Sequence, residues 1–259
     1  MTILDELAAH ARERVAMAKE KISLEEIKAL AKSTPARGFA FEEALKVSDV
    51  AFICECKKAS PSKGLIAKDF PYLEIAGEYE AAGAEAISVL TEPKWFLGSA
   101  EYLREIAAAV KIPCLRKDFT VDEYMIYEAA TLGASAVLLI CSITKKEDLK
   151  RYVGICEKLE LTALVEAHNE EEIKDALYAG ARVIGVNNRN LKDFSVDMDN
   201  AKRLRDMVPE GVLFVSESGV SSPADVAVAR DMGADAVLVG EALMRAVDKK
   251  EKLRKLRGM

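Results

Sequence analysis

The order of apolar and polar residues along the chain predicts short strands that alternate with helices. Short apolar runs rich in β-branched residues are typical of buried strands. Eight such runs cover residues 50–56, 85–90, 112–117, 135–140, 162–167, 182–187, 211–218 and 235–240. Helical patterns separate or follow them at residues 73–82, 99–109, 121–131, 145–158, 169–178, 198–207, 222–231 and 249–256.

Gly-Ala pairs precede four of these runs, at residues 83–84, 133–134, 180–181 and 233–234. Glycine just past the end of a helix suits a left-handed C-cap, after which the next strand begins. Regular alternation of strands and helices implies right-handed βαβ units and a parallel sheet. Eight strands with eight helices predict an α/β fold, the (β/α)₈ TIM barrel. An open doubly wound sheet is the alternative, and the lack of a GxGxxG segment makes it the lesser choice.

The chain of 259 residues is half hydrophobic, which is enough for one large core or two small ones. Residues 1–48 precede the first strand and contain two helical patterns, at 2–20 and 24–32. Two helices are too few for a separate domain. We therefore expect a single domain over 1–259, in which an N-terminal helical extension (1–48) packs on a barrel (49–259).

The net charge and the lengths of the apolar runs argue against nucleic acid and the membrane as partners. A net charge of −6 argues against nucleic acid, whose binding proteins present a basic face. No apolar run approaches the roughly 20 residues of a membrane span. The N-terminal pattern is charged and amphipathic, unlike a signal peptide, so we expect a cytoplasmic protein.

The five cysteines are expected to be reduced and buried, because their number is odd and most lie in apolar runs. Cys54 and Cys56 would share one face of a strand, which leaves a metal pair as an alternative. Neither a second CxxC nor a nearby histidine completes such a site. Only His10 and His168 are present, so a histidine-rich metal centre is excluded.

Polar residues lie at the ends of most of the predicted strands. Parallel barrel strands are buried on both faces, so charges belong at their carboxyl ends, where barrel enzymes have their active sites. A single charge there is most simply a solvated loop residue, but five strands that present polar groups to the same mouth predict a catalytic pocket. The residues are Glu55, Lys57, Thr91, Glu92, Arg116, Lys117, Asp118, Glu166, Asn187, Asn188, Arg189, Glu217, Ser218, Gly240 and Glu241.

Two of these charges are hard to explain as loop residues. Lys117 and Glu166 stand among apolar residues, where a charge needs partners. Alternation along the first strand puts Glu55 and Lys57 on one face and Cys56 on the other.

The segment 57–71 is longer than a plain βα connection, which has 2–6 residues. Its composition predicts a mobile flap that excludes water.

Segments 216–220 and 239–243 place glycine and backbone N–H groups after the seventh and eighth strands. Either glycine alone could serve only a tight turn. Together they lie where TIM barrels bind phosphate, which predicts an anion site.

These motifs resemble indole-3-glycerol phosphate synthase, a barrel enzyme of tryptophan synthesis. The segments are ECKKASPSKG (55–64), LTEPKWFLGS (90–99), PCLRKDF (113–119), LVEAH (164–168), GVNNRNL (185–191), VSESGV (215–220) and VGEALMR (239–245). Cys56 departs from the apolar or aromatic residue usual in the family. The resemblance implies a reaction without metal or cofactor, and a chain that is often a monomer. The implied substrate is 1-(2-carboxyphenylamino)-1-deoxyribulose 5-phosphate, which undergoes ring closure, decarboxylation and dehydration.

The resemblance also implies roles for individual residues. Lys117 would be the general acid on the sugar carbonyl, Glu166 the acid/base of dehydration, and Lys57 the partner of the substrate carboxylate. Glu55 would orient Lys57, while Asn187, Glu217 and Ser218 would position the sugar. Phosphate would meet Ser60, Arg189, Gly219, Gly240 and the neighbouring Glu241. Trp95, Phe96 and Phe119 would flank the anthranilate ring, although aromatic residues near strand ends are more often core.

Two rival functions stay open at this level. A different phosphate-binding barrel enzyme, such as phosphoribosylanthranilate isomerase, would keep the anion site but needs no pair of lysines with Glu166. A non-catalytic phosphosugar-binding barrel predicts the loss of an acid or base, and this sequence keeps all of them.

Overall fold

A computed structural model describes residues 2–189 and 195–259, and in this part of the chain eight parallel strands close into a barrel. Numbered in chain order, the barrel strands are β1 (Ala51–Cys56), β4 (Ala86–Leu90), β5 (Cys114–Lys117), β6 (Ala136–Ile140), β7 (Thr162–Ala167), β8 (Val183–Asn187), β9 (Leu213–Glu217) and β10 (Ala236–Val239). Strand β1 pairs with both β4 and β10, which closes the sheet. The predicted TIM barrel is confirmed, and the open sheet is excluded.

Helices follow each barrel strand in the described ranges. They are α4 (Tyr72–Ala81), α5 (Ala100–Ala109), α6 (Glu123–Thr131), α7 (Lys146–Lys158), α8 (Glu170–Ala179), α9 (Asp199–Arg205), α10 (Pro223–Asp231), α11 (Glu241–Met244) and α12 (Lys249–Leu256). The helix predicted from residue 121 begins at Glu123, because the Asp122 side chain accepts the N–H of Tyr124 as an N-cap. The glycines of the four Gly-Ala pairs all have positive φ, as the predicted turns require.

The N-terminal extension holds α1 (Ile3–Lys21), α2 (Leu24–Ser33) and a short helix that the sequence pattern missed, α3 (Ala40–Ala44). Phe41 of α3 and Leu45 just beyond it are buried with residues inside the barrel, including Ala51 and Val183 at the first positions of β1 and β8. Helix α3 therefore closes the amino-terminal end of the barrel.

Helix α1 lies at the opposite, carboxyl-terminal end. Arg14 forms an ion pair of 2.6 Å with Asp118 after β5, and His10 Nδ1 lies 3.2 Å from Glu92 after β4. The two ends of the barrel interior are therefore closed differently, one by α3 and the other partly by α1.

The segment after β1 contains local structure where only a flap was expected. Strands β2 (Ala59–Ser60) and β3 (Gly64–Leu65) form a small antiparallel hairpin over the carboxyl end of the barrel. The hairpin is short and its second strand is exposed. The mobility predicted for residues 57–71 stays a prediction.

The outward-facing strand residues form the largest core, between barrel and helices. Cys54 and Cys56 both belong to this layer, and Cys56 is buried in the cluster that also holds Tyr79 of α4. Alternation along β1 therefore directs Glu55 inward, as predicted. No helix in the described part of the chain is long and apolar enough to cross a membrane.

Candidate active site

A cavity of about 590 Å³ opens at the carboxyl ends of the barrel strands. Its wall includes most of the residues expected to form the site. These are Glu55, Lys57, Ser60, Phe96, Lys117, Phe119, Glu166, Asn187, Arg189, Glu217, Ser218, Gly219, Gly240 and Glu241. The matching motif at 185–191 ends in residues 190 and 191, which lie outside the described residues.

Lys117 lines the cavity and lies between two carboxylates. Its Nζ lies 3.1 Å from Glu166 Oε2 and 2.5 Å from Glu217 Oε2. Burial disfavours the charged ammonium, but the two carboxylates outweigh this effect and raise the pKa of Lys117 above its ordinary value. Lys117 is therefore a cation at neutral pH, with a proton available for donation.

The two carboxylates beside Lys117 differ in their remaining contacts. Glu166 Oε1 accepts a hydrogen bond of 3.3 Å from Asn187 and lies 3.4 Å from His168 Nε2. Glu217 Oε1 is buried and makes no hydrogen bond within the described part of the chain. It fits there because residue 185 is glycine, whose missing side chain would occupy the same space.

This difference separates the acidities of the two groups. Burial raises the pKa of a carboxyl, but the charges of Lys117 and His168 outweigh it at Glu166, whose pKa lies below its ordinary value. At Glu217, burial and the neighbouring Glu166 charge raise the pKa to about 7, although Lys117 opposes the rise. One carboxylate is therefore ionised at neutral pH, and the other can hold a proton.

A second cation–carboxylate pair lies on the β1 side of the cavity. Lys57 Nζ lies 2.5 Å from Glu55 Oε1, and Ser88 Oγ donates a hydrogen bond of 3.4 Å to Glu55 Oε2. Gly240 lies directly against this pair, since an added Cβ there would be 2.5 Å from Glu55 Oε1 and 3.0 Å from Lys57 Nζ. Because residue 240 is glycine, the end of β10 can lie against the Lys57–Glu55 pair without a steric clash.

The loops after β9 and β10 present backbone to the cavity. Ser218 and Gly219 both have left-handed backbone, with φ of 66° and 92°. Gly240 is followed at once by α11. Asn188 fixes the first loop, because its Nδ2 donates to Ser216 Oγ and to the Ser218 carbonyl.

Two of the three predicted aromatic residues lie on the cavity wall. The rings of Phe96 and Phe119 are 5.9 Å apart. Trp95 does not share this position: its ring packs edge-on against His10 of α1, at 5.4 Å. Glu92 determines this arrangement, because its carboxylate accepts the backbone N–H groups of residues 94–96.

Other polar residues at strand ends anchor the scaffold. Arg116 points outward, donates to the Met125 carbonyl and pairs with Glu128 of α6 at 2.6 Å. Asp118 lines the cavity but pairs with Arg14. Arg116 and Asp118 therefore belong to the pattern of polar strand ends, but their contacts hold α6 and α1 against the barrel.

Sequence reasoning missed the contribution of α1 to the cavity. Ile3, Leu4 and Leu7 line it from the N-terminal extension. The signal was present in the amphipathic pattern of α1, but that pattern does not say which surface the helix covers. His168, next to Glu166, was also missed.

Comparison with known proteins identifies one family. The family model described as indole-3-glycerol phosphate synthase matches residues 4–256. The indole-3-glycerol phosphate synthase of Ruminiclostridium cellulolyticum is 54% identical over 257 residues, which are 99% of each chain. That of Endomicrobium trichonymphae is 50% identical over 256 residues, covering 98% of this chain and 99% of the relative.

A solved structure with low sequence identity supports the fold alone. The N-acetylmannosamine-6-phosphate 2-epimerase from Clostridium perfringens is 18% identical, with a TM-score of 0.63 over 78% of this chain and 90% of that one. The family model and the two relatives aligned over nearly their whole length show the family as well as the fold. They confirm what the motifs predicted: the chain belongs to the indole-3-glycerol phosphate synthase family.

Proposed function

We propose that the residues at the mouth of this barrel catalyse the family's carboxy-lyase reaction of tryptophan synthesis. The substrate, 1-(2-carboxyphenylamino)-1-deoxyribulose 5-phosphate, is converted to indole-3-glycerol phosphate with release of CO₂ and water. One observation carries the assignment of the site. Two separate lysine–glutamate sets, Lys57 with Glu55 and Lys117 with Glu166 and Glu217, face one cavity.

Lys117 acts as the general acid of ring closure. The aromatic carbon that bears the carboxylate attacks the sugar carbonyl, and the carbonyl oxygen takes a proton from the Lys117 ammonium. The raised pKa of Lys117 supports this role, because it keeps the proton in place until negative charge develops on that oxygen. Loss of CO₂ then leaves a hydroxyl to be removed.

Lys57 binds the substrate carboxylate before CO₂ leaves. Its ammonium lies at the cavity wall and is only partly exposed, so it can pair with an anion while Glu55 fixes its direction. The cation holds the carboxylate beside the reacting carbon, and the Lys57–Glu55 contact keeps the lysine oriented.

Glu166 accepts the proton lost during dehydration. Its lowered pKa supports this, because a proton acceptor has to be ionised at the working pH. Glu217 has a pKa of about 7 and can donate a hydrogen bond to the substrate in its protonated form. Asn187 and Ser218 position the sugar chain between these groups.

The phosphate binds between the hairpin and the loops after β9 and β10. Ser60, Gly219 and Gly240 face this part of the cavity with backbone or hydroxyl groups, and Arg189 adds a cation. The Glu241 carboxylate pairs with Arg245 and does not face the phosphate, since Arg245 Nε lies 3.0 Å from Glu241 Oε1. Phe96 and Phe119 provide the apolar wall for the anthranilate ring.

We further propose that residues 1–259 act as one domain, because α1 supplies part of the cavity wall. The working form is a cytoplasmic monomer that binds this small phosphosugar and no nucleic acid. The net charge of −6 supports the last point.

A fluorescence assay tests the function. The purified chain is mixed with 1-(2-carboxyphenylamino)-1-deoxyribulose 5-phosphate, and indole fluorescence is followed with time. Turnover to indole-3-glycerol phosphate is expected. Binding of the substrate without product would favour a phosphosugar-binding barrel. Turnover of phosphoribosylanthranilate in its place would favour the isomerase.

A further inference from the structure

His168 lies between the active site and a second carboxylate. Its Nε2 is 3.4 Å from Glu166 Oε1, and its Nδ1 is 3.0 Å from Glu172 Oε2 in α8. The ring does not line the main cavity. It lies at an adjoining cavity of about 540 Å³, which Glu172 also lines.

We propose that His168 and Glu172 form a positioning pair that holds Glu166 ionised and fixes the orientation of its carboxylate. This proposal rests on the proposed role of Glu166 as a proton acceptor. His168 does not touch the substrate cavity, so it acts through Glu166 and is not itself a catalytic residue.

The hydrogen bonds around Glu172 determine which form of the ring fits. Glu172 Oε2 accepts the backbone N–H of His168 at 2.8 Å and also faces Nδ1. Nδ1 therefore carries a proton toward Glu172. In a neutral ring, Nε2 would then present its lone pair to Glu166, which is repulsive. Only the imidazolium form is attracted to both carboxylates.

The division of the two Glu166 oxygens follows from this arrangement. Oε2 faces Lys117, while Oε1 faces His168 and Asn187. With a cation or amide on each side, the carboxylate has one favourable orientation, and its negative charge is stabilised. Glu217 has no such second contact in the described residues, which matches the different acidities of the two groups.

Several charges face the ring and contribute to its protonation. Burial lowers the pKa of His168, but the hydrogen bond to Glu172 and the charge of Glu166 outweigh it, so the pKa lies above its ordinary value. Glu217 adds a weaker effect of the same sign. The adjoining cavity also contains Arg189, Asp197 and Arg203.

Nuclear magnetic resonance of the 259-residue chain tests the pair without any need for turnover. The chain has two histidines, so ¹⁵N-histidine labelling gives two rings, and His10→Asn assigns them. We expect the pKa of His168 to fall by about one unit in Glu166→Gln and in Glu172→Gln, because each removes a facing anion. Glu171→Gln removes one charge from the same helix at an exposed position and should leave the titration unchanged. An unchanged His168 titration in Glu166→Gln would overturn the proposal.

The pH profile of kcat provides the second test. Loss of the cation raises the pKa of Glu166, so the acid limb should move toward neutral pH by about one unit in His168→Asn. On that limb kcat should fall about tenfold, with KM little changed. His168→Gln and Glu172→Gln should move the limb in the same direction, and either can be used if His168→Asn does not fold.

If the pair serves only packing, the His168 and Glu172 variants should lose stability, while the acid limb of their kcat profile stays at the wild-type pH. That result would refute the positioning pair. Failure of the proposed function is a separate result. A wild-type chain that forms no product would remove the kinetic test but leave the coupling of His168 to Glu166 measurable by resonance.

Discussion

Glu217→Gln should stabilise the folded chain at neutral pH, although Glu217 belongs to the candidate active site. In the folded chain, burial and the Glu166 charge raise the pKa of Glu217 from its ordinary value of 4.5 to about 7. The unfolded chain ionises this carboxyl near pH 4.5, while the folded chain retains the proton. Stability is therefore lost as the pH rises from about 4.5 to about 7, and the loss is complete above that range.

The size of this effect follows from the two pKa values. One pKa unit corresponds to about 1.4 kcal/mol, so the rise from 4.5 to about 7 costs the native state about 3 kcal/mol at pH 8. Glutamine is nearly isosteric and does not ionise. Its amide oxygen can still accept a hydrogen bond from Lys117, so the variant avoids this cost.

Urea unfolding between pH 5 and pH 8.5, followed by circular dichroism, measures the effect. The free energy of unfolding of Glu217→Gln minus that of wild type should increase by about 2.5 kcal/mol from pH 5 to pH 8, because part of the cost is already present at pH 5. The exposed Glu171→Gln serves as the matched control and should show a flat difference. A flat difference for Glu217→Gln as well would refute the acidity assigned to this carboxyl.

Two kinetic predictions concern other parts of the cavity. Lys117→Ala should lower kcat by about 10²–10⁴ with the fold retained, because it removes the proton donor; activity within about threefold of wild type would argue against that role. Gly240→Asp should raise KM at least about tenfold in steady-state assays, because it adds a carboxylate at the proposed phosphate site and crowds Glu55. An unchanged KM would place the phosphate elsewhere.

The barrel could be predicted from the sequence because each βα unit carries its own local signals. Apolar runs specify the strands, and the Gly-Ala pairs end four of the helices. The period of two along β1 was enough to place Glu55 on the inner face and Cys56 against the helices. The strand ends then bring Lys117, Glu166 and Glu217 together without further information.

The features that sequence could not predict depend on contacts between distant segments. The amphipathic pattern of α1 predicts that it packs, but the pairing of Arg14 with Asp118 decides where. Trp95 and Phe96 are adjacent and chemically similar. Which of them faces the cavity depends on backbone hydrogen bonds to Glu92.

The same reasoning applies to the acidities of the two buried glutamates. Both lie at strand ends and both contact Lys117, so sequence gives no basis to separate them. Their pKa values diverge because only Glu166 has His168 and Asn187 on its other side.

The central claim about the site is that Lys57 and Glu166 act on different charges. Lys57 faces a carboxylate that is already charged in the bound substrate, whereas Glu166 exchanges a proton only during the reaction. Removing Lys57 also leaves Glu55 without its partner, close to the substrate carboxylate. Removal of one partner of a close charge pair costs on the order of 2–5 kcal/mol.

Isothermal titration with a substrate analogue whose carbonyl is reduced measures this difference directly. Lys57→Met should bind the analogue at least about tenfold more weakly than wild type. Glu166→Gln should bind it almost normally and lose kcat. Weaker binding by Glu166→Gln, together with wild-type affinity in Lys57→Met, would contradict the two roles.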